Sequence, residues 1–111
     1  MKFQATIGQF EQLVLTAVVT LGENAYGVTI RDAVSALAAP KSVSLGAVYA
    51  TLDRLEAKGL VLSRRASVDG LSRRVFALAT RGARALAETR AMRDRLWQGV
   101  NLRAMLAGGR A

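Results

Sequence analysis

The chain contains no cysteine and no histidine. Disulfide bonds and thiol chemistry are therefore excluded, and the commonest metal ligand and the commonest general base at neutral pH are missing. A metal site would depend on carboxylates alone, and the eight acidic residues are scattered along the chain. No carboxylate pair and no glycine-rich phosphate loop is visible. We therefore expect no metal, no cofactor and no enzymatic activity.

Long apolar runs and targeting signals are also missing. No apolar run reaches the ~18 residues that a membrane span needs. The start of the chain lacks the apolar core of a signal peptide. No repeat or low-complexity linker divides the 111 residues, a length typical of a small domain. These features predict a soluble, cytoplasmic protein without a membrane partner.

Positive charge is abundant and unevenly placed. The formal net charge is +8; residues 58–84 carry seven cations against one acid, whereas residues 1–57 carry four cations against five acids. Net charge alone is compatible with simple solubility. Its concentration in one segment favours an anionic partner, nucleic acid first and a membrane surface second.

The first two helices are predicted at about Gly8–Leu21 and Gly27–Ala39, the second ending before Pro40, the single proline. The first is apolar on two sides. Its main face comprises Phe10, Leu13, Val14, Ala17, Val18 and Leu21, and its second side comprises Leu15 and Val19. The second side needs a cover, which is either the C-terminal helix of the same chain or another subunit.

A third helix is predicted to begin after Ser44, a good N-cap, and to end at Gly59, a good C′ residue. Its inward face should comprise Leu45, Val48, Leu52 and Leu55. The outward residues of its first turns are small, so the helix N-terminus can approach a phosphate backbone closely. Further along, Asp53 and Arg54 are predicted to form a weak surface ion pair.

A β-hairpin should follow, with strands Leu60–Arg65 and Arg73–Leu78 and a loop, residues 66–72, whose tip is Asp69-Gly70. Phe76 and Leu78 share the face that joins the core. Thr80 then caps a long last helix from Arg81 to about Met105. That helix exceeds what the domain needs, so its apolar stripe requires a partner.

This order of elements predicts a mainly α fold. It is a three-helix winged helix-turn-helix with a two-stranded hairpin as the wing, followed by a long C-terminal dimerisation helix. We assign residues 1–79 to the DNA-binding domain and residues 80–111 to the dimerisation helix. A winged helix that serves only protein interaction is the alternative.

The sequence also resembles the PadR family of bacterial transcriptional regulators. The resemblance is carried by GQFEQLVL at residues 8–15, AYGV at residues 25–28 and VSLGAVYATLDRLEAKGLV at residues 43–61. The family's aromatic pair on the return strand is Val75-Phe76 here, and its threonine-proline-x-glycine reads Thr80-Arg81-Gly82. The resemblance implies a homodimeric repressor of the subgroup with a short C-terminal region. It also implies a palindromic operator and release by a small, frequently aromatic, effector.

Two sets of site residues follow. The expected contacts to double-stranded DNA are Lys41, Ser42, Ser44, Gly46, Ala47, Tyr49, Ala50, Arg64, Arg65, Arg73 and Arg74. Several of these residues also have an alternative without DNA contact. Lys41 and Ser42 could form a plain loop, the Tyr49 ring could be buried between helices, and the arginines could form a solvated face of the hairpin. The small helix residues cannot form base-specific hydrogen bonds, so DNA shape should carry much of the specificity.

The second set is expected at the dimer interface, either as packing alone or as the wall of an effector pocket. It comprises Phe10, Leu15, Val19, Met92, Leu96, Trp97 and Val100.

Overall fold

Seven regular elements and one 3₁₀ turn make up the structure, a computed structural model that describes residues 7–108. The helices are α1 (Gln9–Leu21), α2 (Gly27–Ala38), α3 (Leu45–Ala57), α4 (Thr80–Trp97) and α5 (Leu102–Gly108), with the 3₁₀ turn at Gly22–Asn24. Strands β1 (Val61–Val68) and β2 (Leu71–Leu78) pair antiparallel. The predicted order of elements is confirmed, with α5 as an addition.

The core lies where α1, α2 and α3 meet the base of the hairpin. Its largest fully buried side chains are Val14, Leu15, Ile30, Val34, Val48, Leu52, Leu55, Val61 and Phe76. Leu15 is therefore a core residue of its own subunit and does not reach the surface on which it was predicted. Val19, its predicted companion, is 53% exposed. The C-terminal helix of the same chain thus leaves the second side of α1 partly open.

Helix α3 has the predicted ends. The Ser44 hydroxyl accepts a hydrogen bond from the Ala47 N–H at 3.1 Å, and Gly59 adopts φ +78° just after the helix. Of the predicted inward face, Val48, Leu52 and Leu55 are fully buried, and Leu45 is half-buried. The caps therefore fix the two ends of α3, and the burial of its apolar residues fixes which face points outward.

The hairpin is longer than predicted. Pairing continues to Val68 and Leu71, so the loop is only Asp69-Gly70, with φ +53° and +79°. Two residues with positive φ form the tight turn that matches the twist of paired strands. The predicted seven-residue loop is wrong, because this turn lets residues 66–68 and 71–72 continue the ladder. Phe76 is buried and Leu78 half-buried, as predicted.

The last helix differs from its prediction at both ends. Ala79 occupies the N-cap position, and Thr80 is already helical. At the other end, α4 stops at Trp97, because Gly99 adopts φ +83° and turns the chain. The Asn101 side chain then accepts a hydrogen bond from the Ala104 N–H at 2.9 Å and starts α5. The single helix predicted to Met105 is therefore two.

Glu11, on α1, is the one buried carboxylate among residues 7–108, with 9% of its surface exposed. Burial raises its pKa, but the Gly8 N–H (3.0 Å to Oε1) and Lys58 (3.0 Å to Oε2) outweigh burial and hold the pKa below its ordinary value. The ion pair joins α1 to the end of α3.

This pairing predicts acid-dependent stability. Because the folded pKa of Glu11 is lowered, its stabilisation is complete above the unfolded pKa, about 4.5, and is lost as pH falls through the folded pKa. Urea unfolding at pH 7 and at pH 3 measures the free energy of unfolding at each pH. The decrease from pH 7 to pH 3 should be smaller for Glu11→Gln than for the unmodified chain. Equal losses in the two proteins would contradict the pairing.

Candidate nucleic-acid interface

The surface at the start of α3 is exposed and built from small residues. Lys41 and Ser42 lie in the connector before the helix, and Ser44 caps it. The exposed residues of this surface are Lys41, Ser42, Ser44, Gly46, Ala47 and Ala50. The structure therefore places these predicted contact residues together around one helix N-terminus, whose unpaired N–H groups and dipole favour anions.

Tyr49 lies beside this surface but is half-buried. The end of its ring packs against Gly27, the first residue of α2, so closely that a Cβ on Gly27 would overlap the ring. The Tyr49 ring is thus packed between helices, which is one of the two roles predicted for it. The other role, a contact to a DNA phosphate, stays a prediction. The contact sets how closely α2 and α3 approach.

Gly27→Ala should therefore act through Tyr49. We expect the substitution to cost about 1–3 kcal/mol of unfolding free energy, because the added methyl group overpacks the contact. In a Tyr49→Ala background the overlap is gone, and alanine should be neutral or favourable in the helix. Urea denaturation of the four proteins of this cycle measures the difference. An equal cost in both backgrounds would place the strain elsewhere.

The wing arginines divide between the two faces of the hairpin. Arg65 is paired with Arg74 across the strands, and Ala66 is paired with Arg73. Cross-strand partners share a face, and neighbours along a strand alternate. Arg64 and Arg73 therefore lie on one face, and Arg65 and Arg74 lie on the other. Arg64 and Arg65 are exposed and form no ion pair among residues 7–108.

Arg73 is held by an aromatic ring. Its guanidinium carbon lies 4.4 Å from the centroid of the Tyr26 ring, and its buried Nε has no hydrogen-bond partner within the described part of the chain. Such stacking attracts the cation to the ring face. The segment before α2 is also tied to β2, since the Phe76 N–H donates to the Ala25 carbonyl at 2.8 Å. Arg73 is thus half-buried yet not neutralised by a carboxylate.

Arg74 is held by carboxylates. Its Nη1 donates to Asp53 at 3.1 Å, its Nη2 donates to Glu56, and its Nε donates to Ser63 at 3.2 Å. Its guanidinium also lies 4.8 Å from the centroid of the Phe76 ring. The prediction of an Asp53–Arg54 pair is wrong, because Asp53 pairs with Arg74 while Arg54 donates to the Thr51 hydroxyl at 3.2 Å.

Glu56 responds to the same network. The hydrogen bond from the Ser63 hydroxyl (2.8 Å) and the Arg74 ion pair lower the pKa of Glu56 against the opposing effect of burial. Tyr26, Asp53 and Glu56 were missed as members of this site. They lie 18 to 47 residues from their arginine partners in the sequence, and no spacing rule connects them.

Apart from Leu15, which lies in the core, the residues of the second predicted set are exposed or half-buried. Leu96 is 70% exposed and Trp97 is 49% exposed. Val19 and Val100 are also exposed, while Phe10 and Met92 are half-buried. An apolar groove of about 530 Å³ lies between the end of α1 and the base of the wing, lined by Val18, Val19, Leu62, Val75, Ala77 and Leu78. Val19 is the one member of the predicted set that lines it. Trp97 does not line that groove.

The arrangement of α2, α3 and the wing defines a winged helix-turn-helix protein. A sequence profile described as the transcriptional regulator PadR-like family matches residues 14–88, more than half of the chain. The chain therefore belongs to this family of DNA-binding transcriptional regulators, and the resemblance inferred from its motifs is confirmed.

Similar proteins agree with this assignment. Over 48 residues the chain is 50% identical to the transcriptional regulator Rv3488 of Mycobacterium tuberculosis (strain ATCC 25618 / H37Rv), covering 43% of this chain and 45% of that protein. The match thus spans less than half of that relative. A PadR family regulator from Eggerthella lenta DSM 2243 has TM-score 0.63 and 26% identity, covering 80% of this chain and 78% of that one.

A more distant structure shares the fold alone. BpsR of Bordetella bronchiseptica, whose DNA binding is regulated by 6-hydroxynicotinic acid, has TM-score 0.66 and 16% identity, covering 96% of this chain and 76% of that one.

Among the described residues, no helix combines the length and apolar character required to cross a membrane.

Proposed function

We propose that the protein is a homodimeric repressor that binds a palindromic operator. The observation that carries the proposal is the exposed, small-residue N-terminus of α3 beside a wing in which three arginines pair with no carboxylate of residues 7–108. An α-helix with small outward residues fits deeply into the major groove. The proposal builds on membership of a DNA-binding family.

The DNA contacts divide into two kinds. The N-terminal half of α3 enters the major groove, where Gly46, Ala47 and Ala50 allow close approach. Arg64, Arg65 and Arg73 neutralise phosphates on the flanking backbone. Since Gly46, Ala47 and Ala50 offer no hydrogen-bonding side chain, apolar contacts to base edges and the shape of the duplex carry much of the specificity.

The C-terminal segment, residues 80–111, supplies dimerisation in this proposal. Six large apolar side chains of its described part are exposed, namely Leu96, Trp97, Val100, Leu102, Met105 and Leu106. Exposure of this many apolar residues at one end of a chain favours an intersubunit contact. Val19, exposed on α1, is the site on the partner subunit that they cover. Two α3 helices would then lie about one turn of DNA apart, ~34 Å.

The dimer is tested by charge insertion. Leu96→Glu should convert a dimer into a monomer in sedimentation velocity at micromolar concentration, because the carboxylate would be buried in an apolar interface. Leu71→Glu is the matched control, since Leu71 is also a large exposed apolar residue, 56% exposed, but lies at the wing tip. If Leu96→Glu leaves the sedimentation unchanged, α4 does not form the interface.

A small aromatic effector that binds beside Trp97 completes the proposal. Support comes from the half-exposed indole at the end of α4 and from the regulation of BpsR by 6-hydroxynicotinic acid. Because Trp97 is the only tryptophan, its fluorescence reports one site. A ligand that releases DNA should quench this fluorescence; release without any change would move the effector site elsewhere.

Selection of bound duplexes from random DNA tests the function as a whole. The proposal predicts recovery of an inverted repeat whose half-sites are centred about 10 base pairs apart, or a multiple of one turn. Failure to retain any duplex at low salt would instead support a winged helix that serves protein interaction.

A further inference from the structure

Arg73 and Arg74 are neighbours in sequence but have opposite surroundings. Arg73 stacks on Tyr26 and meets no carboxylate among the described residues, whereas Arg74 is engaged along both edges of its guanidinium by Asp53, Glu56 and Ser63. From this contrast we infer that Arg74 is a positioning residue, which fixes the angle between α3 and the wing and so helps to select the operator. The inference rests on the proposed function and assigns one residue a role within it.

The network around Arg74 joins three elements. Asp53 and Glu56 lie one turn apart on α3, Ser63 lies on β1, and Arg74 lies on β2. Ser63 both accepts from Arg74 and donates to Glu56 Oε2 at 2.8 Å. The rigid guanidinium fork fixes orientation as well as distance. The wing therefore cannot swing relative to α3 without breaking several of these contacts together.

The local charge argues against a phosphate contact by Arg74. One guanidinium faces two carboxylates, so the cluster of Arg74, Asp53 and Glu56 carries a net charge of −1 from its side chains. A cation that is already neutralised by carboxylates releases few additional counterions from DNA. A phosphate bond to Arg74 would require both ion pairs to open. The network stabilises a geometry and adds little to non-specific attraction.

A fixed wing angle matters because α3 has few side chains that read bases. Its helix N-terminus and its wing must meet the groove and the flanking phosphates at the same time. Only duplexes whose groove width and curvature match that spacing satisfy both. A loosened wing still reaches phosphates on any duplex. Loss of Arg74 should therefore reduce binding to the operator more than binding to random DNA.

Arg65→Ala is the matched control for Arg74→Ala. The two residues are direct cross-strand partners on one face of the wing, and each substitution removes one positive charge. Arg74→Ala should weaken operator binding about tenfold, comparable to one mismatched base pair, with the salt slope unchanged. Arg65→Ala should weaken operator and random duplexes alike and lower the slope by about 0.9 per subunit.

Two further variants separate positioning from charge. Arg74→Lys keeps the charge but loses the fork, and should lower the operator-to-random affinity ratio as Arg74→Ala does; it also serves if Arg74→Ala fails to fold. Glu56→Gln makes the chain more positive, so simple electrostatics predicts tighter binding to every duplex. Because that attraction does not depend on sequence, it leaves the operator-to-random affinity ratio unchanged. The inference predicts that Glu56→Gln lowers this ratio.

Amide hydrogen exchange tests the same role without DNA. Exchange across residues 61–78 should be faster in Arg74→Ala than in Arg65→Ala, because the wing opens more often. A salt slope that falls in Arg74→Ala as in Arg65→Ala, or equal wing exchange in both, overturns the inference. If the unmodified protein prefers no duplex, the proposed function fails, and the exchange experiment still decides whether Arg74 holds the wing.

Discussion

Replacing Arg64, Arg65 and Arg73 together by alanine will flatten the salt dependence of DNA binding. Each phosphate contact adds about 0.9 to the slope of log affinity against log salt, so the slope should fall by about 2.7 per subunit. The same relation gives a loss of roughly 500-fold in affinity per subunit at about 0.1 M salt. Fluorescence anisotropy with an operator duplex, titrated with salt, measures both quantities.

These three arginines are chosen because their guanidinium groups meet no carboxylate among residues 7–108. The control removes Arg90, Arg93 and Arg103, which are exposed cations outside the wing, and sedimentation velocity verifies that it keeps the oligomeric state of the unmodified protein. It lowers the net charge of +8 by the same amount. The control should keep the slope nearly unchanged. If the two triple variants behave alike, net charge rather than the wing governs binding.

Gly82→Ala will strongly destabilise the fold. A Cβ on Gly82 would overlap the carbonyl oxygen of Leu60 and lie 2.8 Å from Cδ1 of Leu78. That carbonyl also accepts the hydrogen bond of the Ala79 N–H at 3.0 Å, so it cannot turn away without cost. Because the obstacle is backbone, α4 must move as a unit. We expect a loss of about 3 kcal/mol, at the upper end of the cost of overpacking.

Gly46→Ala is the matched control for this substitution. Gly46 also lies within a helix, but no atom would lie within 4 Å of its new Cβ. Alanine there should raise stability by about 0.5–1 kcal/mol through helix propensity. Urea denaturation of both variants gives the comparison. Equal stability of Gly82→Ala and the unmodified chain would mean that the start of α4 packs more loosely than the structure indicates.

The parts of the fold that the sequence predicts well depend on local signals. Ser44 and Gly59 bracket α3, and Asp69-Gly70 forms the turn of the wing, because caps and tight turns depend on a few adjacent residues. The inward face of α3 is predicted by the helical spacing of its apolar residues, which is also read from within the element. Gly82 is different, because the backbone carbonyl that leaves no room for a side chain there belongs to Leu60, 22 residues earlier.

The contacts that the sequence does not predict join residues that lie far apart in the chain. Arg74 and Asp53 lie 21 residues apart and meet only because β2 folds back beside α3. Tyr26 meets Arg73 across 47 residues. From the sequence, all four wing arginines look equivalent. In the structure, the register of the hairpin places Arg74 beside the acids of α3, and this pairing distinguishes it from the other three arginines. The break at Gly99 was overlooked although Gly99 and Asn101 are local signals for it.

Footprinting of the selected operator tests the central claim most directly. If α3 enters the major groove and the wing lies on the flanking backbone, guanine N7 positions should be protected from methylation in two clusters about 10 base pairs apart. Hydroxyl-radical protection should flank each cluster and disappear in the triple arginine variant. A single protected cluster, or flanking protection that persists without Arg64, Arg65 and Arg73, would contradict the account.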